Sequence, residues 1–141
     1  MNEVERNWNY YDYLRTMPAF IFAGIIFFIS SLSEPYPIPP PEPPGILGLE
    51  ININDIFHIS EYTILSLLVA FGFSDKVKTY YLIFSTIVYA ILDEMHQYFV
   101  PNRYFSFYDI LFDSIGVILG FLFYIILINL MNKLKMEKNE L

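Results

Sequence analysis

Three short stretches hold most of the side chains in this chain that can ligate an ion, clamp an anion or move a proton. Residues 55–62 carry Asp55, His58, Glu61 and Tyr62, and residues 93–97 carry Asp93, Glu94, His96 and Gln97. Asp109 and Asp113 form the third group, with Arg103 between the second and the third. Imidazole and carboxylate suit several divalent ions, so His58 with Glu61, or Glu94 with His96, is a metal pair by type. Both patterns are short, and neither has the spacing of a metalloprotease. At 100° per residue on a helix, His96 points about 60° from Asp93 and about 160° from Glu94, so the three do not surround one ion easily. A histidine hydrogen-bonded between helices is the plainer expectation, and neither a metal ion nor any other cofactor is expected.

The acids also suit general acid–base work. Close carboxylates in a low-dielectric site do not hold their protons alike, which makes Asp93 or Glu94 a candidate catalytic base beside Asp109 and Asp113. The alternative is a polar network that fixes helix register, with Arg103 neutralising one or two of the carboxylates. Arg103 can clamp a phosphate or carboxylate bidentately, or pair with Asp109 or Glu94. No nucleophile arrangement accompanies them: Ser106 and Ser114 lack a signature neighbourhood, and there is no Gly-rich phosphate loop.

The elements that position these residues are apolar. The chain has 141 residues, 55% apolar and 16% charged, with a net charge of -7 and no cysteine. The length suits one domain. The composition excludes disorder and the charge excludes a nucleic-acid partner. Lacking cysteine, the chain has no disulfides, thiolate clusters or cysteine nucleophile. Apolar runs cover residues 14–32, 53–73, 79–100 and 105–131. Each approaches the ~20 residues that cross a ~30 Å hydrocarbon layer. Four such runs with almost no polar face would leave a water-soluble domain without a surface. The predicted fold is therefore an all-α, integral-membrane four-helix bundle forming a single domain in the cell membrane. Glu3, Glu5 and Asp12 precede the first run and make a poor signal-peptide start, so that run is expected to be retained.

Basic residues orient the bundle. Arg6, Arg15, Lys76, Lys78, Lys133, Lys135 and Lys138 fall on one side and Arg103 on the other, seven of the eight basic residues together. The positive-inside rule then makes both termini cytoplasmic. Residues 34–45, which read EPYPIPPPEPPG, become an outer-side spacer whose prolines favour extended polyproline II. The tail from Asn132 is read as a solvated cytoplasmic end. With that topology all three polar groups lie in the outer half of the bilayer, within roughly 15 Å of its surface by the helical rise. Gly116 and Gly120 continue the Asp109–Asp113 stripe deeper, and small residues at that spacing let helices approach closely. The expected picture is a bundle closed tightly on its cytoplasmic side and open outside to a polar pocket. Tyr98, Tyr104 and Phe105 are read as part of the interfacial aromatic belt.

The run Asp93-Glu94-Met95-His96-Gln97, then Phe99-Val100-Pro101-Asn102-Arg103, then Ser106, Asp109, Asp113, Gly116 and Gly120, resembles the VanZ-like family. The family pattern is approximately D-E-x-x-Q, an aromatic, V-P-G-R, then S-x-x-D-x-x-x-N-x-x-G-x-x-x-G. Upstream, His58, Tyr62 and Leu65 are similar to its K-x-x-H-x-x-x-Y-x-x-L element. The resemblance covers about residues 54–120. Asp55 stands where the family usually has Lys, Asn102 where it has Gly, and Asp113 where it has Asn. The second change is mild because Asn tolerates turn conformations. The other two make the pocket more acidic, which could alter a ligand preference or favour a bound cation that the family pattern does not require. The resemblance implies a small multi-span bacterial or archaeal membrane protein, in a family whose founding member is associated with resistance to the glycopeptide teicoplanin. Later members are associated with lipoglycopeptides.

The combined expectation is a ligand site of His58, Glu61, Tyr62, Asp93, Glu94, Gln97, Arg103, Asp109 and Asp113. Its ligand would be a lipid headgroup, a cell-wall precursor or a glycopeptide antibiotic. Two other classes compete with it. One is a membrane-embedded hydrolase or transferase acting on a lipid-linked substrate, with Asp93 or Glu94 as base. The other is a small transporter subunit or proton relay using the carboxylate chain, against which the apolar inner halves of the spans count in a monomer, though an oligomer could complete a path.

Overall fold

The computed structural model describes residues 8–33 and 53–139. Among them are four helices and no strand: α1 (Tyr10–Ser30), α2 (Ile53–Phe73), α3 (Thr79–Gln97) and α4 (Phe107–Asn139). Arg6 and the proline-rich 34–45 segment lie outside the described residues.

Local chemistry starts and stops these helices. Asn9 caps α1 through a reciprocal pair with Asp12, each side chain taking the other's backbone N–H at 3.0 Å. At the start of α4, Ser106 Oγ accepts the Asp109 N–H at 3.2 Å. Helix α3 stops at Gln97, short of the expected boundary at 100. Pro101 disfavours helical backbone at the preceding residue, so the chain leaves the helix through a tight turn. In that turn Asn102 adopts φ 64°, the left-handed conformation that Gly or Asn tolerates. The other end of α4 overruns expectation. The segment from Asn132, read as a solvated end, is exposed and continues the helix to Asn139. Its Lys, Glu, Leu and Met residues are good helix formers, and Lys133 and Glu137 are i,i+4 neighbours.

Helix α2 is the centre of the bundle, touching the other three, and its contact with α4 is the most extensive. Gly116 and Gly120 make that contact possible. A Cβ on Gly116 would stand 2.5 Å from the Ile59 carbonyl oxygen, and one on Gly120 would run into the Thr63 carbonyl and the Ser66 hydroxyl. The two backbones therefore meet directly, with α4 running parallel to α2. Helix α1 runs antiparallel to α2, where Arg15 pairs with Asp75 at 2.6 Å and donates to the Phe71 carbonyl at 2.7 Å. It runs parallel to α3, where Tyr89 donates to the Ala23 carbonyl at 2.6 Å.

Polarity is arranged inside out relative to a water-soluble protein. Phe20, Phe28 and Phe84 are about two-thirds exposed, whereas Ser66 and Glu94 are fully buried. Helices α1, α2 and α4 are long and apolar enough to cross a membrane. Helix α3 has 19 residues and ends in its acidic cluster, which turns inward. Only helices that satisfy their own backbone and hide their polar side chains from lipid suit that solvent. The molecule is an all-α membrane helical bundle.

The packing corrects one expectation. The end bearing the basic residues is not closed throughout. A mostly apolar cavity of about 310 Å³ lies between α1, α2 and α3, bordered by Ala19, Ala23, Leu65, Val69, Leu82 and Tyr89. The α2–α4 glycine contact is tight there, but the alanines of α1 are too small to fill the space on the other side.

Candidate functional site

The chemistry-bearing side chains gather at the opposite end of the bundle. His58, one turn into α2, points at α4, and its Nδ1 shares a hydrogen bond with Asp113 Oδ1 at 3.0 Å. Its Nε2 lies 4.0 Å from Asp109 Oδ2. The i,i+4 spacing of Asp109 and Asp113 stacks both acids on the face of α4 that meets α2. From α3, Glu94 reaches the same point: one of its oxygens, one from Asp113 and a ring nitrogen of His58 all lie within 4.8 Å of one another. Glu94 is fully buried, and its Oε2 accepts the Ser106 backbone N–H at 3.1 Å, so the turn into α4 holds the acid in place.

A second polar group sits beside this one. Asp93 Oδ2 accepts from the Ser30 hydroxyl at 2.6 Å and from Gln97 Nε2 at 3.3 Å. Gln97 in turn accepts two hydrogen bonds from Arg103, from Nε at 3.1 Å and from Nη2. Arg103 is thus held by an amide, rather than by Asp109 or Glu94 as the sequence offered, and remains partly exposed. Asp109 is partly exposed as well, its side chain at 26%. Arg103, Ser106 and Asp109 form a rim over a buried core of His58, Asp93, Glu94, Gln97 and Asp113.

Of the remaining sequence candidates, Tyr62 is buried one turn deeper than His58, Glu61 is half-buried on α2, and Asp55 is buried in its first turn. The two histidine–acid pairs read along single helices are not the ones that meet. His96 turns to α1, stacked on Phe27 at 4.4 Å with its Nε2 3.0 Å from Ser31 Oγ. His58 meets acids of α3 and α4 instead. The serines of α1 are what sequence reasoning missed. Nothing in an apolar run ending Ile-Ser-Ser marks Ser30 as the partner of an acid 63 residues away.

Several buried oxygens have no hydrogen-bond partner among the described residues: Tyr62 Oη, Asp93 Oδ1, Glu94 Oε1 and Asp113 Oδ2. An unsatisfied buried polar group costs roughly 1–3 kcal/mol, more when charged.

The family model described as VanZ/LLP1 matches residues 5–128 of the chain. No curated protein matches it, and no solved structure does.

Proposed function

The chain belongs to the VanZ/LLP1 family, and from that premise and the polar core we propose that it is a multi-pass cell-membrane protein binding the polar head of an amphipathic envelope component. The ligand class is a lipid headgroup, a lipid-linked cell-wall precursor or a glycopeptide antibiotic, and the family's link to teicoplanin supports the last. The observation that carries the reading is the meeting of α2, α3 and α4 at one end, with partly exposed Arg103 and Asp109 above fully buried acids. A guanidinium at such a rim suits phosphate or carboxylate, and the acids and His58 suit hydroxyl and amide donors. Holding this many ionisable groups within helices costs roughly 2.5–3.5 kcal/mol each near mid-bilayer on insertion scales, more than helix pairing alone requires.

Native mass spectrometry of the detergent-released protein tests the proposal. The wild type should carry a lipid or precursor adduct that Arg103→Ala and Asp109→Ala lose. In cells, any change in teicoplanin susceptibility brought by the wild type should vanish with Arg103→Ala, Asp93→Ala or Asp109→Ala while membrane insertion is unchanged. Wild-type behaviour in all three variants would end this reading.

A further inference from the structure

We propose that His58, Glu94 and Asp113 form a binding site for one divalent first-row transition-metal ion, such as zinc or manganese. The proposal goes beyond the headgroup reading and does not need it. Neither single-helix pairing, His58 with Glu61 or Glu94 with His96, leads to this site. It exists because α2, α3 and α4 each bring one residue to the same point.

The geometry has the marks of a prepared ligand set. Each acid has one oxygen in a contact and the other without a hydrogen-bond partner among the described residues. Glu94 Oε2 takes the Ser106 N–H at 3.1 Å while Oε1 has no hydrogen-bond partner among the described residues, and Asp113 Oδ1 faces His58 Nδ1 at 3.0 Å, a contact that an ion between them would replace. Glu94 and Asp113 are 0% and 1% exposed, so bulk water does not reach their unpartnered oxygens. The Ser106 N–H on Glu94 Oε2 is an outer hydrogen bond of the kind that orients a metal ligand, and it leaves Oε1 available. Ligand atoms stand about 2.0–2.2 Å from zinc, hence roughly 3.3 Å from each other in a tetrahedron. His58 Nδ1 and Asp113 Oδ1, 3.0 Å apart, are already near that separation, and one ligand atom from each of the three residues lies within 4.8 Å of the others.

Charge argues the same way. Asp93, Glu94 and Asp113 are buried, and the positively chargeable groups that the described residues bring to their hydrogen-bond network are His58 and the partly exposed Arg103. A divalent ion neutralises two carboxylates at once, where burying them unpaired is costly. One imidazole and two carboxylates favour zinc, manganese or iron(II) over magnesium and calcium, which prefer all-oxygen sets. Three protein ligands also leave a coordination position open, and the partly exposed Asp109 has its Oδ2 4.0 Å from His58 Nε2.

The full chain, in detergent micelles and stripped with a chelator, is titrated separately with Mn²⁺ and Zn²⁺. One ion per chain is expected. Pulsed electron paramagnetic resonance of the Mn²⁺ form should show modulation from a directly bonded nitrogen. The chain has two histidines, so the assignment is clean: His96→Ala keeps the modulation and His58→Ala removes it. Glu94→Gln, near in shape to the native acid, should weaken Zn²⁺ roughly 100-fold with helicity unchanged. If His58→Ala fails to fold, the wild-type and His96→Ala spectra decide. Absence of stoichiometric binding, absence of nitrogen modulation, or modulation lost with His96→Ala overturns the site. Metal content and lipid content are separate measurements, so failure of the headgroup reading leaves this result standing.

Discussion

Asp113→Ala and Tyr89→Phe each remove an interhelical hydrogen bond, and they should differ sharply in cost. Asp113 and His58 form a pair with side-chain exposures of 1% and 8%, and deleting one partner strands the other. Leaving a buried polar group without its partner costs about 1–3 kcal/mol, more when it is charged. Tyr89 donates to the Ala23 carbonyl as a neutral contact, of the kind that averages about 0.6 kcal/mol within membranes. Denaturation in mixed micelles should therefore rank Asp113→Ala far below Tyr89→Phe, and equal losses would mean that the pair is no more than another hydrogen bond. At this scale the sequence was only half legible. Spacing along one helix shows that Asp109 and Asp113 share a face, and that His96 points away from Glu94. It does not show how neighbouring helices are rotated, and that rotation is what brings His58 to Glu94 and Asp113, and Ser30 to Asp93. Arg103 shows the same limit. Opposite charge favours Asp109 or Glu94, but the turn through Asn102 delivers the guanidinium to Gln97.

Between elements, the decisive contact is α2 against α4, and three glycines separate close packing from mere helix composition. Gly116→Ala places a methyl 2.5 Å from the Ile59 carbonyl, and Gly120→Ala drives one into the Thr63 carbonyl. Backbone cannot step aside as a flexible side chain does, so each should cost about 1–3 kcal/mol or more and loosen the site's α2–α4 face. Gly24→Ala is the control, with nothing within 4 Å of the added carbon. It should be neutral or stabilising by up to about 1 kcal/mol, the helix preference of Ala over Gly. Thermal unfolding of the three variants in one detergent checks the ranking, and a harmless Gly116→Ala would contradict the close approach. The helices themselves were readable, since apolar runs of near-membrane length have few other structures available. Their ends were less so. Pro101 cut α3 short and favourable tail residues carried α4 on to Asn139, both local effects that hydropathy does not weigh. The cavity beside α1 was invisible for a further reason: a run of apolar residues reads alike whether its alanines face a neighbour closely or across a gap.

For the molecule as a whole, the two ends of the bundle differ in charge, and that difference sets which compartment meets the polar site. Arg15 and Lys76 are tied to Asp75 and Asp12 at 2.6 and 2.8 Å, which places the α1 start and the α2–α3 turn together. Lys133, Lys135 and Lys138 lie on the exposed extension of α4, which runs parallel to α2 and so leaves the membrane at that same end. Arg103 is at the other. Insertion retains Lys- and Arg-rich flanks in the cytoplasm, so the site should face outward and meet envelope components without transport across the membrane. The chain has no cysteine, which lets single replacements report the topology without background. Pro101→Cys, exposed above the site, should react with a membrane-impermeant maleimide in intact cells, whereas Lys138→Cys should react only once the membrane is opened. The reverse labelling would turn the rim of Arg103 and Asp109 toward the cytoplasm. An extracellular antibiotic could not then be its ligand, while a metal held by His58, Glu94 and Asp113 would be unaffected, because that set depends on helix packing and not on which side of the membrane it faces.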